Sequence, residues 1–307
     1  GGVVHKDGVV GGRQRGRCRS CNRLFRGRDK PLVREVWTAY QWGKQTYAQL
    51  SERYGCSVRT IQRWLDRMPP SSSGLPLPVK AVVLMDTTYF RRSGGVLLLR
   101  DAHGGGNLHW LHVKHETNDL YAQGLAWLKE NGVVVQAVVC DGRRGLLQLC
   151  APLPAQMCQF HQVAIITRYL TRKPKLPAAQ ELLAHVRLLT RTDKESFIGG
   201  LDQWHKRWQS FLEERTREAT TGRMRYTHRR LRSAYLSLKR NLPWLFTWYD
   251  HPELRIPNTT NAIDGHFADL KNKLRNHNGL SAKRRKRFVD EFFKASRPLD
   301  EERGGTT

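Results

Sequence analysis

The chain has 307 residues and sets 53 Lys plus Arg against 27 Asp plus Glu, for a formal net charge of +26 and a pI near 10.4. Hydrophobic residues at 39% exclude a disordered chain, and no uncharged apolar run approaches the roughly 18 residues of a membrane helix. A cationic surplus of this size repels itself unless a polyanion neutralises it, and nucleic acid is the usual one. Six irregularly spaced cysteines are too few for a disulfide scaffold, and no signal peptide is seen. A reducing, cytoplasmic location is therefore expected, nucleoid-associated if the partner is DNA.

Residues 1–28 are Gly- and Arg-rich and contain RCRSC, in which Cys18 and Cys21 form a C-x-x-C knuckle. Thiolates so spaced can grip Zn²⁺ from a tight turn, but four ligands are needed. His5 is a candidate third, and the other half of a zinc ribbon is expected ahead of residue 1, since the chain opens on Gly-Gly with no initiator Met. A metal-free turn or a redox pair are the alternatives. Residues 31–68 are helical in pattern, and TYAQLSERYGCSVRTIQRWLD at 46–66 reads as a helix-turn-helix. Tyr47, Leu50 and Tyr54 share a face, Gly55 makes the turn, Ser57 is the N-cap, and Ile61, Trp64 and Leu65 point inward. Arg59, Thr60, Gln62 and Arg63 are left outward, where DNA contacts arise. A plain helical hairpin is the bland alternative.

PPSSSGLPLP at 69–78 reads as a linker. Short Val/Leu strands are then predicted at 79–89, 95–101 and 107–114, a helix at 118–130, a strand at 133–140 and a strand-like run at 155–160 leading into helix. Strands with an intervening helix argue for an α/β core over 79–161 and 256–297, interrupted at 162–255 by an all-helical insertion. Helices are expected at 260–275 and 282–295, with a tail at 298–307.

Asp86 ends the apolar strand AVVLMD, and Asp141 ends a second, VVVQAVVCD. One strand-end Asp is often only a turn residue; two at neighbouring core strands can converge on a divalent cation. A third acid comes from NTTNAIDGHFADLKNKLRNHNGL, with Asp264 and Asp269 as candidates. Asn261, Asp264, Ala268 and Lys271 share one helical face, which makes Asp264 the inward choice and turns Asp269 towards the basic surface.

Taken together, Asp86, the VVCDG at Asp141, the TTN-x-x-acid-G segment with its L-R-N-H-x-G-L continuation, and CQFH at 158–161 resemble a DDE transposase of bacterial insertion sequences, of the Mutator-like group with a C-x-x-H signature. The order of zinc knuckle and helix-turn-helix is similar too. The resemblance implies a ribonuclease H-like core and two Mg²⁺ ions, replaceable by Mn²⁺, held by Asp86, Asp141 and Asp264. In that scheme Asp86 bridges both metals. Water first frees a 3′-OH at a transposon inverted-repeat end, and that 3′-OH then attacks target DNA. The enzyme is expected to work as a homodimer or larger assembly on paired ends. The family usually carries Glu at the third position; Asp264 keeps the charge with one methylene fewer. Cys158 and His161 read either as part of a metal site or as packing at a strand-to-helix junction, with His161 close to the scissile phosphate.

Trp204, Trp208, Trp244 and Trp248 are spaced in fours and read as core, with stacking on an unpaired base the alternative for one of them. Arg229 and Arg230, in a cluster with Arg223, Arg225 and Arg232, are expected to track phosphates. Lys271 and the Arg284 and Arg285 of AKRRKRF are placed to hold DNA backbone, or else form a solvated face. Two other functions stay open: a catalytically inactive, domesticated DNA-binding protein, and a metal nuclease that hydrolyses without joining.

Overall fold

A computed structural model of the chain describes residues 3–10, 13–26, 33–68, 77–90, 94–277 and 280–295. The expected linker lies mostly outside these residues, and the expected tail wholly so. The chain divides into two units, Gly1–Pro70 with Arg275–Gly279 and Ser71–Leu274 with Leu280–Thr307.

The first unit opens on an antiparallel sheet of β1 (Val4–Val10), β2 (Arg13–Cys18) and β3 (Leu24–Arg26). After β2 the chain turns sharply: the Asn22 N–H donates to the Cys18 carbonyl at 3.0 Å, with Asn22 in the left-handed region at φ 55°. Backbone N–H groups of Cys21 and Ser20 aimed at the Cys18 sulfur hold its thiol below the usual range. The register pairs Val4 with Cys18 and His5 with Arg17. Because side chains alternate along a strand, His5 falls on the face opposite Cys18, which removes it as the third zinc ligand. Among the described residues no group of three His, Cys, Asp or Glu is placed to share a metal.

Three helices follow: α1 (Val33–Gln41), α2 (Tyr47–Arg53) and α3 (Val58–Arg67). Val36, Tyr40, Leu50, Ile61 and Leu65 are buried between them. Gly55 makes the α2–α3 turn at φ +57°, a conformation that strains any residue with a Cβ. Thr46 and Gln49 form a capping box at α2, and the Ser57 hydroxyl accepts from the Thr60 N–H at 3.2 Å at the start of α3. Replacing that cap, Ser57→Ala, is expected to destabilise α3 by about 1 kcal/mol. Hydrogen exchange of the first-turn amides of α3 should then quicken about fivefold; unchanged exchange would show that the cap contributes nothing.

The second unit is built on a five-stranded mixed sheet in the order β6-β5-β4-β7-β8. Here β4 (Lys80–Tyr89), β5 (Gly95–Asp101) and β6 (Asn107–Val113) form an antiparallel meander. Helix α4 (Asn118–Glu130) returns the chain to β7 (Val134–Cys140), parallel to β4. A short α5 (Leu146–Leu149), absent from the sequence expectation, leads to β8 (Ala155–Met157), parallel to β7. Ala81 to Met85 are buried without a break, as a central strand covered on both faces requires.

Helices α6 (Gln159–Leu170), α7 (Pro177–Arg187), α8 (Lys194–Glu213), α9 (Arg229–Leu245) and α10 (Thr247–Asp250) follow, with a small hairpin of β9 (Arg215–Arg217) and β10 (Met224–Tyr226) between α8 and α9. The expected all-helical insertion is therefore neither purely helical nor separate. Its Ile166, Leu182, Phe197, Trp204 and Leu238 belong to one continuous core with Val83, Met85, Leu97 and Val138 of the sheet. The opposite face carries α11 (Asn261–Arg275) and α12 (Ala282–Ala295). Asn107 on β6 donates to the Phe293 carbonyl and bonds the His266 ring, both at 3.0 Å, and the Trp110 indole donates to Asp290 at 2.9 Å. No described helix is long and apolar enough to cross a membrane.

Candidate active site at the strand ends

The register of the central strands brings the first two acids together. Leu84 pairs with Val139 across the parallel β4–β7 ladder, so two residues further on Asp86 stands beside Asp141. Adjacent strands lie about 4.8 Å apart. Asp86 also pairs with Leu98, and Leu98 with Trp110, which packs on Phe293 of α12. Alternation then puts Asp86 on the face that α11 and α12 cover. Gly142 follows Asp141 because Met157 of β8 fills the space: a Cβ there would lie 2.2 Å from the Met157 methyl.

The third acid arrives through Cys158. This fully buried residue donates its N–H to the Cys140 carbonyl at 2.8 Å, at the end of β7. Its sulfur accepts from both the N–H and the hydroxyl of Thr260, at 3.4 and 3.3 Å. The Gln159 N–H donates to the Asn258 carbonyl at 2.9 Å. The segment before α11 is thus stitched to the end of β7, and Asp264 sits in the first turn of α11. Asp264 is exposed, not inward: Ile263, Phe267 and Leu270 form the buried stripe, and the acid lies at its margin. Asp269 is engaged by Lys273 of the same helix at 2.6 Å.

Electrostatics record the convergence. Burial pushes the Asp86 carboxyl up to about 7; the Thr87 N–H, 2.7 Å away, and His161 oppose, while the Asp264 and Asp141 carboxylates push the same way as burial. A hydrogen bond to the Cys158 sulfur raises the His161 imidazole to about 9 against the effect of burial, and Asp86 and Asp141 add to the rise. Burial alone would raise the Cys158 thiol, yet its bonds with His161 and Thr260 prevail and lower it. A cationic imidazole therefore faces Asp86 and Asp141 at neutral pH.

Four further residues at the site carried no signal in the sequence. Tyr121 of α4 donates to Glu116 at 2.5 Å and pairs with the Thr87 hydroxyl at 3.1 Å. Arg143 donates its backbone N–H to Asp141 at 3.1 Å and its Nε to Asn118 at 2.9 Å, with Glu116 3.9 Å from its Nη1. The start of α4 thereby holds the residues that follow both strand-end acids.

Hard carboxylate oxygens suit Mg²⁺ or Mn²⁺, and the desolvated Asp86 has two like charges near it against the single cation of His161. The donor chemistry fits a divalent metal. The side chains do not form a preformed cage, since among the described residues no three such groups are placed to share one ion.

Of the expected DNA contacts, Arg59 and Arg63 are exposed on α3, Gln62 is half-buried, and the Thr60 hydroxyl is 3.0 Å from that of Ser57 and so is engaged in the cap. Arg229 and Arg230 are exposed, Arg230 donating to the Arg168 carbonyl at 2.9 Å. Their neighbours hold the hairpin: Arg225 pairs with Glu218 at 2.9 Å and Arg232 lies 4.0 Å over the Tyr226 ring. Lys271, Arg284 and Arg285 are half-buried. Trp204 is buried with its indole donating to the Ala178 carbonyl at 3.0 Å, and Trp208, Trp244 and Trp248 pack against the same core.

No family model matches the sequence, and no curated protein matches it. Among solved structures, one similar chain belongs to a simian T-cell lymphotropic virus intasome in complex with the PP2A regulatory subunit B56 gamma. The match covers 52% of this chain and 69% of that one, at 14% identity and a TM-score of 0.22, too low to bear on fold or function.

Proposed function

We propose that the chain is a DDE-type transposase that cuts and joins DNA with Asp86, Asp141 and Asp264 as its acids. The carrying observation is that the β4–β7 register sets Asp86 beside Asp141 while the bonds of Thr260 to Cys158 tie the segment before α11, which bears Asp264, to the end of β7. The sheet, antiparallel on one side of β4 and parallel through α4 on the other, supports a ribonuclease H-like core. The net charge of +26 supports a DNA partner.

A divalent metal, when bound, would polarise the phosphoryl oxygens and the attacking hydroxyl. Asp86, Asp141 and Asp264 would hold it only once their side chains turn towards one another, since among the described residues no three such groups are placed to share one ion. Cationic His161, fixed by Cys158, would meet a non-bridging oxygen of the scissile phosphodiester and stabilise the charge that develops there. Arg143, tethered through Asn118 and beside Glu116, keeps Asp141 oriented by its backbone N–H. Water is the first nucleophile and the freed 3′-OH the second, so no covalent enzyme intermediate forms.

The test is cleavage of the DNA that flanks the gene, where short inverted repeats are expected, in Mg²⁺ or Mn²⁺. Asp264→Glu should keep or raise cleavage, and Asp264→Ala should lower it about a hundredfold or more. If Asp264→Ala cuts as well as wild type, another acid is the third ligand. If the wild type binds these ends and cuts them in neither metal, the chain is a DNA-binding protein without catalysis.

A further inference from the structure

The same sheet edge carries a second feature. Beyond Asp86, β4 runs on to Tyr89 and then Phe90, which lies alongside the start of β5 and the end of β6. These strand ends and the first turns of α12 enclose a cleft of about 660 Å³. Its apolar floor includes Phe90, Val113 and Val289, and Lys114, Arg285 and Lys286 stand at its rim. Among the described residues no Asp or Glu lines it. Asp290 on α12 bonds the Trp110 indole at 2.9 Å and the His112 ring at 2.6 Å, and its charge also acts on Lys286 one turn before it. Phe90 lies four residues past Asp86, about 13 Å along an extended strand.

Two physical facts decide what such a cleft holds. Three cations with no acid among the lining residues favour an anion, and the volume lies within the roughly 300–1,000 Å³ of small-ligand sites, enough for a nucleoside. An apolar floor under a cationic rim matches the alternation of base and phosphate in a nucleic-acid strand. An acidic peptide would satisfy the rim and leave the floor uncovered.

The geometry points to this cleft as a DNA subsite, in which Lys114, Arg285 and Lys286 hold phosphates of the strand that passes Asp86 while one nucleoside rests on Phe90, Val113 and Val289. The path of that strand rests on the assignment of the acids; the affinity of the cleft for DNA does not. Arg284, one residue before Arg285, is not among the lining residues, so within AKRRKRF the contact is carried by Arg285 and Lys286.

The full chain and its Lys114→Gln/Arg285→Gln/Lys286→Gln variant are titrated with a fluorescein-labelled 30-base-pair DNA at several NaCl concentrations. Each lost phosphate contact should remove about 0.9 from the slope of log K against log salt, so the variant slope should be shallower by about 2–3. An unchanged slope overturns the proposal. Lysine acetylation read by mass spectrometry on wild type gives a second measure that needs no variant. DNA should protect Lys114 and Lys286 at least threefold better than polyglutamate, and equal or better protection by polyglutamate assigns the cleft to an acidic protein instead. Cleavage by wild type with no change of slope in the variant removes the cleft and spares the active-site reading. A shallower slope with no cleavage in either metal does the reverse.

Discussion

At pH 8 the Asp86→Asn protein is expected to melt several degrees above wild type while cutting no DNA. The folded Asp86 carboxyl titrates at about 7 because burial disfavours its charge, whereas in an unfolded chain it titrates near 3.9. Below about pH 3.9 the group is neutral in both states and costs nothing. As pH rises from there to 7, the unfolded chain ionises first, and wild-type stability falls until the folded carboxyl has ionised too; above 7 the loss is constant. A shift of about three units corresponds to about 4 kcal/mol, and residual solvent contact at a half-buried side chain reduces this to about 2–3 kcal/mol. Asn keeps the shape and cannot ionise, so the variant escapes the loss.

Thermal melts at pH 4 and pH 8 check the sign. The gap between variant and wild type should open only at the higher pH. A gap of equal size at both pH values, or a lower melting temperature for Asp86→Asn at pH 8, would refute the electrostatic account. Millimolar Mn²⁺ should narrow the gap by stabilising wild type alone. DNA-end binding should persist in the variant, since the substitution removes no cation. Full cleavage by Asp86→Asn in Mg²⁺ would remove Asp86 from the chemistry.

How much of this was legible in the sequence depends on how local the signal is. A continuous apolar run marks a strand buried on both faces, and Asp141 does follow the end of such a strand; Asp86 ends the apolar run but not the strand, since β4 continues to Tyr89, and it stays desolvated inside the ladder. Their exact pairing rests on register, which only the ladder of Leu84 and Val139 fixes. Asp264 was placed on the right helix and given the wrong exposure. A face shared by Asn261, Asp264, Ala268 and Lys271 says which residues lie together and not which side packs, and the apolar stripe of Ile263, Phe267 and Leu270 settles that. Glu116 and Arg143 were invisible because polar loop residues become site residues only when α4 and β7 meet. The β9–β10 hairpin was missed for a simpler reason. Its strands, RTR and MRY, have no apolar alternation, and Tyr226 is held by Arg215 and Arg232 across its ring. Cys158 is bonded by Thr260, 102 residues away, a pairing that no short motif conveys.

The second large effect is expected from Gln156→Leu. Gln156 is fully buried on β8. Its amide donates to the Leu245 carbonyl at 3.0 Å and the Met157 carbonyl at 2.6 Å, and its oxygen accepts from the Trp248 N–H at 3.0 Å. Gln159 donates to the same Leu245 carbonyl at 2.8 Å, and the Thr247 hydroxyl to the Ala155 carbonyl at 2.7 Å. These bonds satisfy backbone groups where α9 ends and α10 begins, groups that no helix can satisfy internally. Leucine fills nearly the same volume, so the cost comes from polar groups and not from a cavity. The Trp248 N–H loses its acceptor inside the core, Leu245 keeps only Gln159, and the expected loss is about 2–4 kcal/mol. Urea unfolding should show a lower midpoint with an unchanged slope. Because Cys158 and His161 follow Gln156 within five residues, cleavage should also fall at temperatures where the variant remains folded. A loss of stability under 0.5 kcal/mol would mean that water or a shifted α10 replaces the amide, and that the helices are anchored to the sheet by their apolar contacts alone.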